Sequence, residues 1–392
     1  MSTFEAPLSG RHFLQIPGPT NVPERVLQAL AQPTIDHRSA AFAELTRSIL
    51  ERLGKVCKTS SPVLIYPSSG SGAWEAALVN TLSPGDRVLM CASGHFATLW
   101  GAVAERLALR VDWIPGDWRH GIDPDTIETH LAADGEGAIK AVAVVHNETS
   151  TGCISRIDQV RRAMDRAAHP ALLLVDAISS LGSTAYDHDA WGVDVTVAAS
   201  QKGLMLPPGL AFNILSEKAR GAARQATLPR SYWDWEPLLE ANKRGFFPYT
   251  PATNLLFGLD AALDLLFEEG LEKIFARHAR HARATRAAVE AWGLELLCLD
   301  PAAHSPTLTA VALPAGGDAD ALRQLLLQRF ELSLGTGLGK LQGKIFRIGH
   351  LGGFNDLMLA ATICGIEMGL RLAGIAHNPG GVGAALDALV RD

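Results

Sequence analysis

Two polar steps end two apolar runs near the middle of the chain. Ala171–Val175 is followed by Asp176, and Val193–Ala199 is followed by Ser200, Gln201 and Lys202. Both runs are rich in valine and leucine and too short for a helix, so they read as buried strands of a parallel sheet. In open α/β sheets, ligands bind outside the carboxyl ends of the strands. A carboxylate and an amine would then face one crevice. Taken singly, each has a plainer reading: an Asp after a strand is commonly a turn or helix cap, and a Lys there is commonly solvated. The pair is more specific. It suits pyridoxal phosphate, which needs a lysine amine to condense with its aldehyde and a carboxylate to keep its pyridine nitrogen protonated.

Other strand ends supply what that cofactor's remaining atoms need. Pro62–Tyr66 reads as a strand, PSSGSG follows it, and Ala73–Leu82 reads as a helix. A Gly/Ser turn opening a helix is an anion site, because backbone N–H groups and the macrodipole both favour negative charge. Ser69, Gly70 and Ser71 are therefore the candidate phosphate cradle. Such turns are common, and this one is not a Walker A motif. Arg87–Cys91 is a strand followed by Ser93-Gly94-His95-Phe96, where Phe96 could lie on a cofactor ring or be ordinary core. Ala141–Val145 ends in His146-Asn147-Glu148-Thr149. The ends at Tyr66, Cys91, Val145, Val175 and Ala199 fall on one edge, the layout of a mostly parallel α/β sheet.

The elements around this set follow from pattern. Residues 1–20, with Pro7, Pro17 and Pro19, read as an extended arm outside the core. A helix starts near Pro23, and Ala41–Val56 and Arg156–Ala168 read as amphipathic helices. LMLPPGL turns into a strand at Ala211–Leu215. Ala219–Thr250 is irregular and aromatic, with Tyr232, Trp233, Trp235, Phe246, Phe247 and Tyr249. Asn254–Glu269 and Leu271–Trp292 are long helices. Beyond them, strands at Thr307–Val311, Glu331–Leu334 and Lys344–Gly349 alternate with helices at Asp318–Gln328 and Asp356–Leu372. The expected organisation is an arm over 1–20, a large cofactor-binding domain over 21–260 and a smaller C-terminal α/β domain over 261–392.

Composition narrows the class. The chain has 392 residues, 47% hydrophobic and 19% charged, which fits a well-buried enzyme rather than a disordered chain. A net charge of −6 gives no basic footprint for nucleic acid. No apolar run approaches the roughly 18 residues of a membrane span. The N-terminus lacks a signal-peptide apolar stretch and the C-terminal LVRD is not a peroxisomal address, so a cytoplasmic location is expected. Cys57, Cys91, Cys153, Cys298 and Cys364 are scattered and lack metal spacing, so neither a metal site nor a disulfide framework is expected.

A family resemblance rests on IPGPTNVP, DHRS, SSGSGAWEAALVNTLSPGD, VVHNETSTG, PALLLVDAISS, WGVDV, SQKGLMLPPGL, PYTP, FEEGLE, ARHAR, AVEAWGL and GKIFRIGHLG. With these segments the chain resembles the class V, fold-type I aminotransferases of the serine–glyoxylate and alanine–glyoxylate group, with the stronger likeness to the serine–glyoxylate enzymes. The likeness runs from Ile16 to about Gly353. It implies a fold-type I transferase that uses pyridoxal phosphate. It implies that Lys202 bonds the cofactor and shuttles a proton, that Asp176 pairs with the pyridine nitrogen, and that Ile178 and Phe96 pack on the two ring faces. Ser69, Gly70, Ser71 and Gln201 would hold the phosphate, and Thr149 would lie near the phenolic oxygen. Thr250 would reach the phosphate from the partner subunit of a homodimer, and Arg347 would bind the substrate α-carboxylate. Some relatives carry at Phe247 a tyrosine that contacts phosphate; here that contact is lost or shifts to Tyr249.

The implied reaction is transfer of the amino group of serine to glyoxylate, giving hydroxypyruvate and glycine. Aspartate and alanine are alternative donors; a second carboxylate would want a second cation, and Arg38, Arg230 or Arg244 could supply one. A cysteine desulfurase on the same scaffold would need a nucleophilic cysteine on a mobile C-terminal loop, whereas Cys298 and Cys364 both read as core. A cofactor-sensing regulator would need a DNA-binding domain, for which the stretch before Ile16 leaves no room.

Overall fold

A computed structural model describes residues 11–391. Residues 1–10, with Pro7 of the expected arm, and the terminal Asp392 lie outside the described residues. The strands are β1 (Phe13–Gln15), β2 (Val63–Ser68), β3 (Arg87–Cys91), β4 (Arg110–Ile114), β5 (Ile139–Val145), β6 (Asn147–Glu148), β7 (Cys153–Ile154), β8 (Leu172–Asp176), β9 (Val195–Ala199), β10 (Gly209–Leu215), β11 (Glu295–Leu296), β12 (Leu308–Ala312), β13 (Leu332–Thr336) and β14 (Ile345–Gly349).

Seven of them form one sheet in the order β2-β10-β9-β8-β5-β3-β4. Only β10 runs against its neighbours, so the sheet is mostly parallel, as expected. Its central strands are buried along their length: every residue of β8 and β9 is covered. Helices pack on both faces. One apolar core contains Phe42, Ile49, Leu53 and Ile127, and the other contains Trp74, Leu78, Trp100 and Leu238. Burial on both faces is why these strands are continuous apolar runs rather than alternating ones.

The second sheet has the order β1-β13-β14-β12-β11 and is antiparallel apart from the β1–β13 pair. It packs with the helices Leu271–Ala291, Ala319–Phe330, Asp356–Leu372 and Gly381–Val390 around Val311, Phe346, Ile348, Leu326 and Ile366. Two sequence readings are corrected here. The arm is not outside the core, because Phe13, Leu14 and Gln15 pair with Leu332, Ser333 and Leu334 as an edge strand. The 219–250 region is not irregular throughout. It holds the helices Glu217–Ala223 and Trp235–Lys243, each opened by a side-chain cap, Ser216 to the Ala219 N–H and Asp234 to the Glu236 N–H.

Candidate active site

Asp176 is the last residue of β8, and Lys202 stands three residues past the end of β9. The two strands are neighbours in parallel register, with Asp176 opposite Val197. Both side chains line one cavity of roughly 260 Å³ with Gly18, Pro19, Ser69, Gly70, Ser71, Trp74, Phe96, Asn147, Thr149, Ile178 and Gln201. The sheet edge therefore gathers nearly every residue named from the sequence. Three predicted positions stand differently. Arg347 does not line the cavity but donates to the carbonyl of Thr149, which does, Thr250 is exposed and does not line it, and Tyr249 donates its hydroxyl to the Ile65 carbonyl at 3.3 Å.

The two ends of the Asp176 carboxylate are held. One oxygen accepts from the Trp74 indole N–H at 2.8 Å and the other from the Ile178 N–H at 2.7 Å. Burial pushes this carboxyl up to about 7, against the pull of those two donors. A buried carboxylate in that condition needs a cation facing it. Lys202 is buried too, and burial lowers its amine to about 8, helped by the charge of Arg347 and opposed by Asp176. Its Nζ donates to the Pro17 carbonyl at 2.6 Å. Trp74 and Pro17 escaped the sequence reading. Trp74 lies in WEAAL, where an apolar helix face explains it equally well, and Pro17 acts through its backbone.

The arm closes over this lysine. Thr20 donates its N–H to the Gln201 carbonyl and its hydroxyl to the Lys202 carbonyl, both at 3.1 Å. Gly18 has φ +110°, and a Cβ there would fall 2.5 Å from Lys202 Nζ. Only glycine tolerates both the conformation and the approach.

Ser69 is the N-cap of the helix Gly70–Thr81, yet its side chain makes no capping bond. The Gly72 N–H donates to the Ser69 carbonyl, and the Ser69 hydroxyl and the Gly70 and Ser71 N–H groups are left for an anion. Gln201 Oε1 and Asn147 Oδ1 are buried without a partner among the described residues. A buried carboxylate awaiting a cation, a neutralisable amine, an uncommitted helix N-terminus and the apolar Phe96 and Ile178 together match a flat, cationic, phosphorylated ring. The residues fit pyridoxal phosphate. Among the described residues no group of three or more His, Cys, Asp and Glu is placed to hold a metal ion.

Arg347, on β14, donates to the Thr149 carbonyl and the Thr336 carbonyl, each at 2.7 Å. Burial lowers its guanidinium to about 10. Behind Thr149 sits Glu148, only 1% exposed. Its carboxylate accepts from the Ala97 N–H at 3.2 Å, the Phe96 N–H at 3.5 Å, and the Ser150 N–H and hydroxyl. It thereby caps the helix His95–Arg106, whose own N-cap, Gly94, offers no side chain.

The cysteines divide. Cys298 is buried as expected, but Cys364 is exposed in the middle of the helix Asp356–Leu372, not in the core. Neither lines the cavity. Arg230 is also not a free cation: it donates to the carbonyls of Val79, Ala223 and Ala226 and faces Asp234.

Residues 12–341 match the aminotransferase class-V family. The chain is 46% identical to a serine–glyoxylate aminotransferase of Methylorubrum extorquens, covering 98% of this chain and 97% of that one. It is 45% identical to an L-aspartate–glyoxylate aminotransferase of Paracoccus denitrificans, covering 96% of each. The solved ureidoglycine–glyoxylate aminotransferase of Bacillus subtilis superposes with a TM-score of 0.91 at 29% identity, covering 98% of this chain and 99% of that one. A site built around Asp176 and Lys202 on a mostly parallel sheet, and these full-length likenesses, lead to one assignment: the chain belongs to the class-V aminotransferases and uses pyridoxal phosphate.

Proposed function

We propose that the chain moves the amino group of serine to glyoxylate, yielding hydroxypyruvate and glycine. Relatives named for serine and for aspartate are equally similar, so likeness alone does not choose the donor. The observation that carries the choice is the state of the cations. Arg347 is one buried guanidinium for one carboxylate. The nearby Arg323 is committed to the Leu334 carbonyl and Asp320, and Arg230 to three carbonyls. Arg38 and Arg244 are exposed and do not line the cavity, so within one chain a dicarboxylic donor would bury its second carboxylate without a partner, which is costly. The test is kcat/KM for serine, alanine and aspartate with glyoxylate saturating. Serine should lead. A tenfold advantage for aspartate, about 1.4 kcal/mol in transition-state binding, would reject serine.

The residue roles follow the same reading. Bound pyridoxal phosphate supplies an aldehyde that condenses with amines and a cationic ring that draws electrons from the substrate α-carbon. Asp176 holds the ring nitrogen's proton. Ser69, Gly70, Ser71 and Gln201 take the phosphate, Phe96 and Ile178 flank the ring, and Thr149 meets the phenolic oxygen. Arg347 fixes the α-carboxylate with a two-pronged guanidinium that lysine cannot reproduce. Lys202 Nζ, its pKa lowered to about 8 by burial, takes the proton from the substrate α-carbon when it is unprotonated. Borohydride treatment should fix the cofactor on the Lys202 peptide, and a label on any other lysine would refute this role. Arg347→Lys should raise KM for donor and acceptor alike, since both carry that carboxylate.

The reading extends to a cytoplasmic homodimer in which Thr250 reaches the partner's phosphate, and to a division into an arm (1–20), a large domain (21–260) and a small domain (261–392). Among the described residues no helix is long and apolar enough to cross a membrane.

A further inference from the structure

Two cysteines that are 145 positions apart meet at the seam between the two sheets. Cys153 opens β7, directly after the turn that carries Thr149, and it pairs with Glu148 across the β6–β7 hairpin. Cys298 follows β11, in a segment folded around its thiol: Sγ lies 3.5 Å from the carbonyls of both Asp300 and Ala303. The two segments are docked through a bridge between Cys153 and His304 and through the Ser305 N–H to the Gly152 carbonyl at 2.9 Å. Cys153, Cys298 and Ala303 form their own small buried cluster, with the thiols facing each other.

We propose that Cys153 and Cys298 are a redox-active pair, which a hydroperoxide oxidises to a disulfide that ties the β6–β7 hairpin to the 298–305 segment and slows transamination until a thiol reductant reverses it.

The surroundings divide the roles. Cys298 lines the narrow cleft beside the pair and Cys153 does not, and the neighbouring Cys153 thiol and then the Arg286 guanidinium hold the Cys298 thiol below its ordinary pKa, whereas Cys153 is pushed up. Cys298 is therefore the sulfur that meets the oxidant and Cys153 the resolving thiol. A narrow cleft lined by Thr151, Arg286, Cys298, His304 and Ser305 opens beside the pair, with room for about one water-sized molecule. That selects hydrogen peroxide or another small hydroperoxide over bulky oxidants.

The chemistry balances. The Cys298 sulfur attacks one peroxide oxygen, the O–O bond breaks, and hydroxide leaves to become water with the thiol's proton, giving a sulfenic acid. The Cys153 sulfur then attacks the Cys298 sulfur. The S–O bond breaks, and the departing hydroxide takes the Cys153 proton as a second water. Two thiols are oxidised by two electrons, and one peroxide is reduced to two waters.

The consequence for the site comes from what the hairpin carries. Glu148, opposite Cys153, caps the helix that bears Phe96, and the Thr149 carbonyl holds Arg347. A covalent tie one step from this turn restrains both.

The experiment uses the full cofactor-loaded chain with Cys364→Ser to remove the exposed thiol. After hydrogen peroxide, peptide mapping should show Cys153 linked to Cys298 with the loss of two hydrogens, and the rate should fall by the same fraction as the linked species forms. Dithiothreitol should restore both. Cys153→Ser should stop at a sulfenic acid on Cys298, trapped by dimedone when the oxidised chain is unfolded in its presence, and Cys298→Ser should keep its rate under the same peroxide. No linked peptide at a peroxide dose that oxidises Cys364 in the parent chain would overturn the pair. A linked peptide at undiminished rate would overturn its hold on catalysis.

Discussion

At the scale of single residues, the site depends on side chains that hold other side chains. Trp74 Nε1 fixes one oxygen of Asp176 at 2.8 Å. Trp74→Phe removes that bond and keeps an aromatic ring beside Trp100, at the cost of the smaller ring's unfilled volume. A lost hydrogen bond to a charged group costs about 1.5–3 kcal/mol, so kcat should fall by roughly tenfold or more and the cofactor should dissociate more readily. Unchanged kcat and cofactor affinity would show that Asp176 needs no such holder. Asp176 also makes a prediction about pH. Its folded carboxyl sits near 7, above its ordinary value, because of burial. Without cofactor, the folded chain keeps a proton that the unfolded chain has lost, so stability is highest in acid and falls as pH rises through the window from about 4 to 7. Asp176→Asn should flatten that fall in the cofactor-free protein and weaken cofactor binding at the same time. Lys202 works in the opposite sense. Its amine, lowered to about 8 first by burial and then by Arg347, is ammonium below that pH and reactive above it. Capture of pyridoxal phosphate by the cofactor-free chain should quicken from pH 7 to 9 and then level. Arg347→Met should move the midpoint upward, since a repelling charge is gone.

At the scale of elements, the hairpin β6–β7 and the helix His95–Arg106 are joined by one carboxylate. Glu148 can reach the helix N-terminus because Gly94 has no side chain: a Cβ there would stand 2.3 Å from Glu148 Cγ. Glu148→Ala should lower stability by about 1–3 kcal/mol, because two buried N–H groups lose their acceptor, and should raise the KM for cofactor through a loosened Phe96. Glu148→Gln keeps an acceptor and should recover most of the loss in thermal melting. This coupling was hidden in the sequence, where Glu148 is one of four polar residues after a strand. What was legible had local signals. Strands β8 and β9 announce themselves because both faces are buried, and the turn at Ser69–Ser71 is set by its glycines. What was not legible had no local signal. Strand β1 has three residues and pairs with Leu332–Leu334, more than three hundred positions away, so the pattern around Phe13 resembles any proline-rich arm. The helices Glu217–Ala223 and Trp235–Lys243 are short, and aromatic clustering masked their period. Ser216 and Asp234, as caps, were the signals to use. Cys364 was misread because ATICGIEM is apolar overall, although the cysteine falls on the outer face of its helix.

At the scale of the whole molecule, the proposed homodimer would have to complete the cavity at the end where the phosphate is proposed to bind. Ser71 is exposed there, and Trp233 stands against Gly72. Tyr232, 46% exposed, stacks on Tyr249 at 4.7 Å, and the next residue, Thr250, is exposed with no role in its own chain's cavity. In the proposed two-fold dimer the same patch lies on both subunits, and a Thr250 that does not line its own cavity would serve the other subunit's phosphate. Mixing subunits separates this from a purely structural role. Lys202→Ala subunits lack the reactive amine but carry Thr250. Thr250→Asp subunits keep Lys202 but set a carboxylate against the phosphate, and like charges at close range repel. Each variant alone should be nearly inactive. When they are unfolded and refolded together in equal amounts, half of the dimers should be mixed, and each mixed dimer holds one site with an intact Lys202 and an intact Thr250. Activity should return to about one quarter of the parent value, the share expected for random pairing in a two-fold dimer. If Thr250 acts within its own chain, no mixed dimer contains a complete site, and the mixture should stay as inactive as its parts.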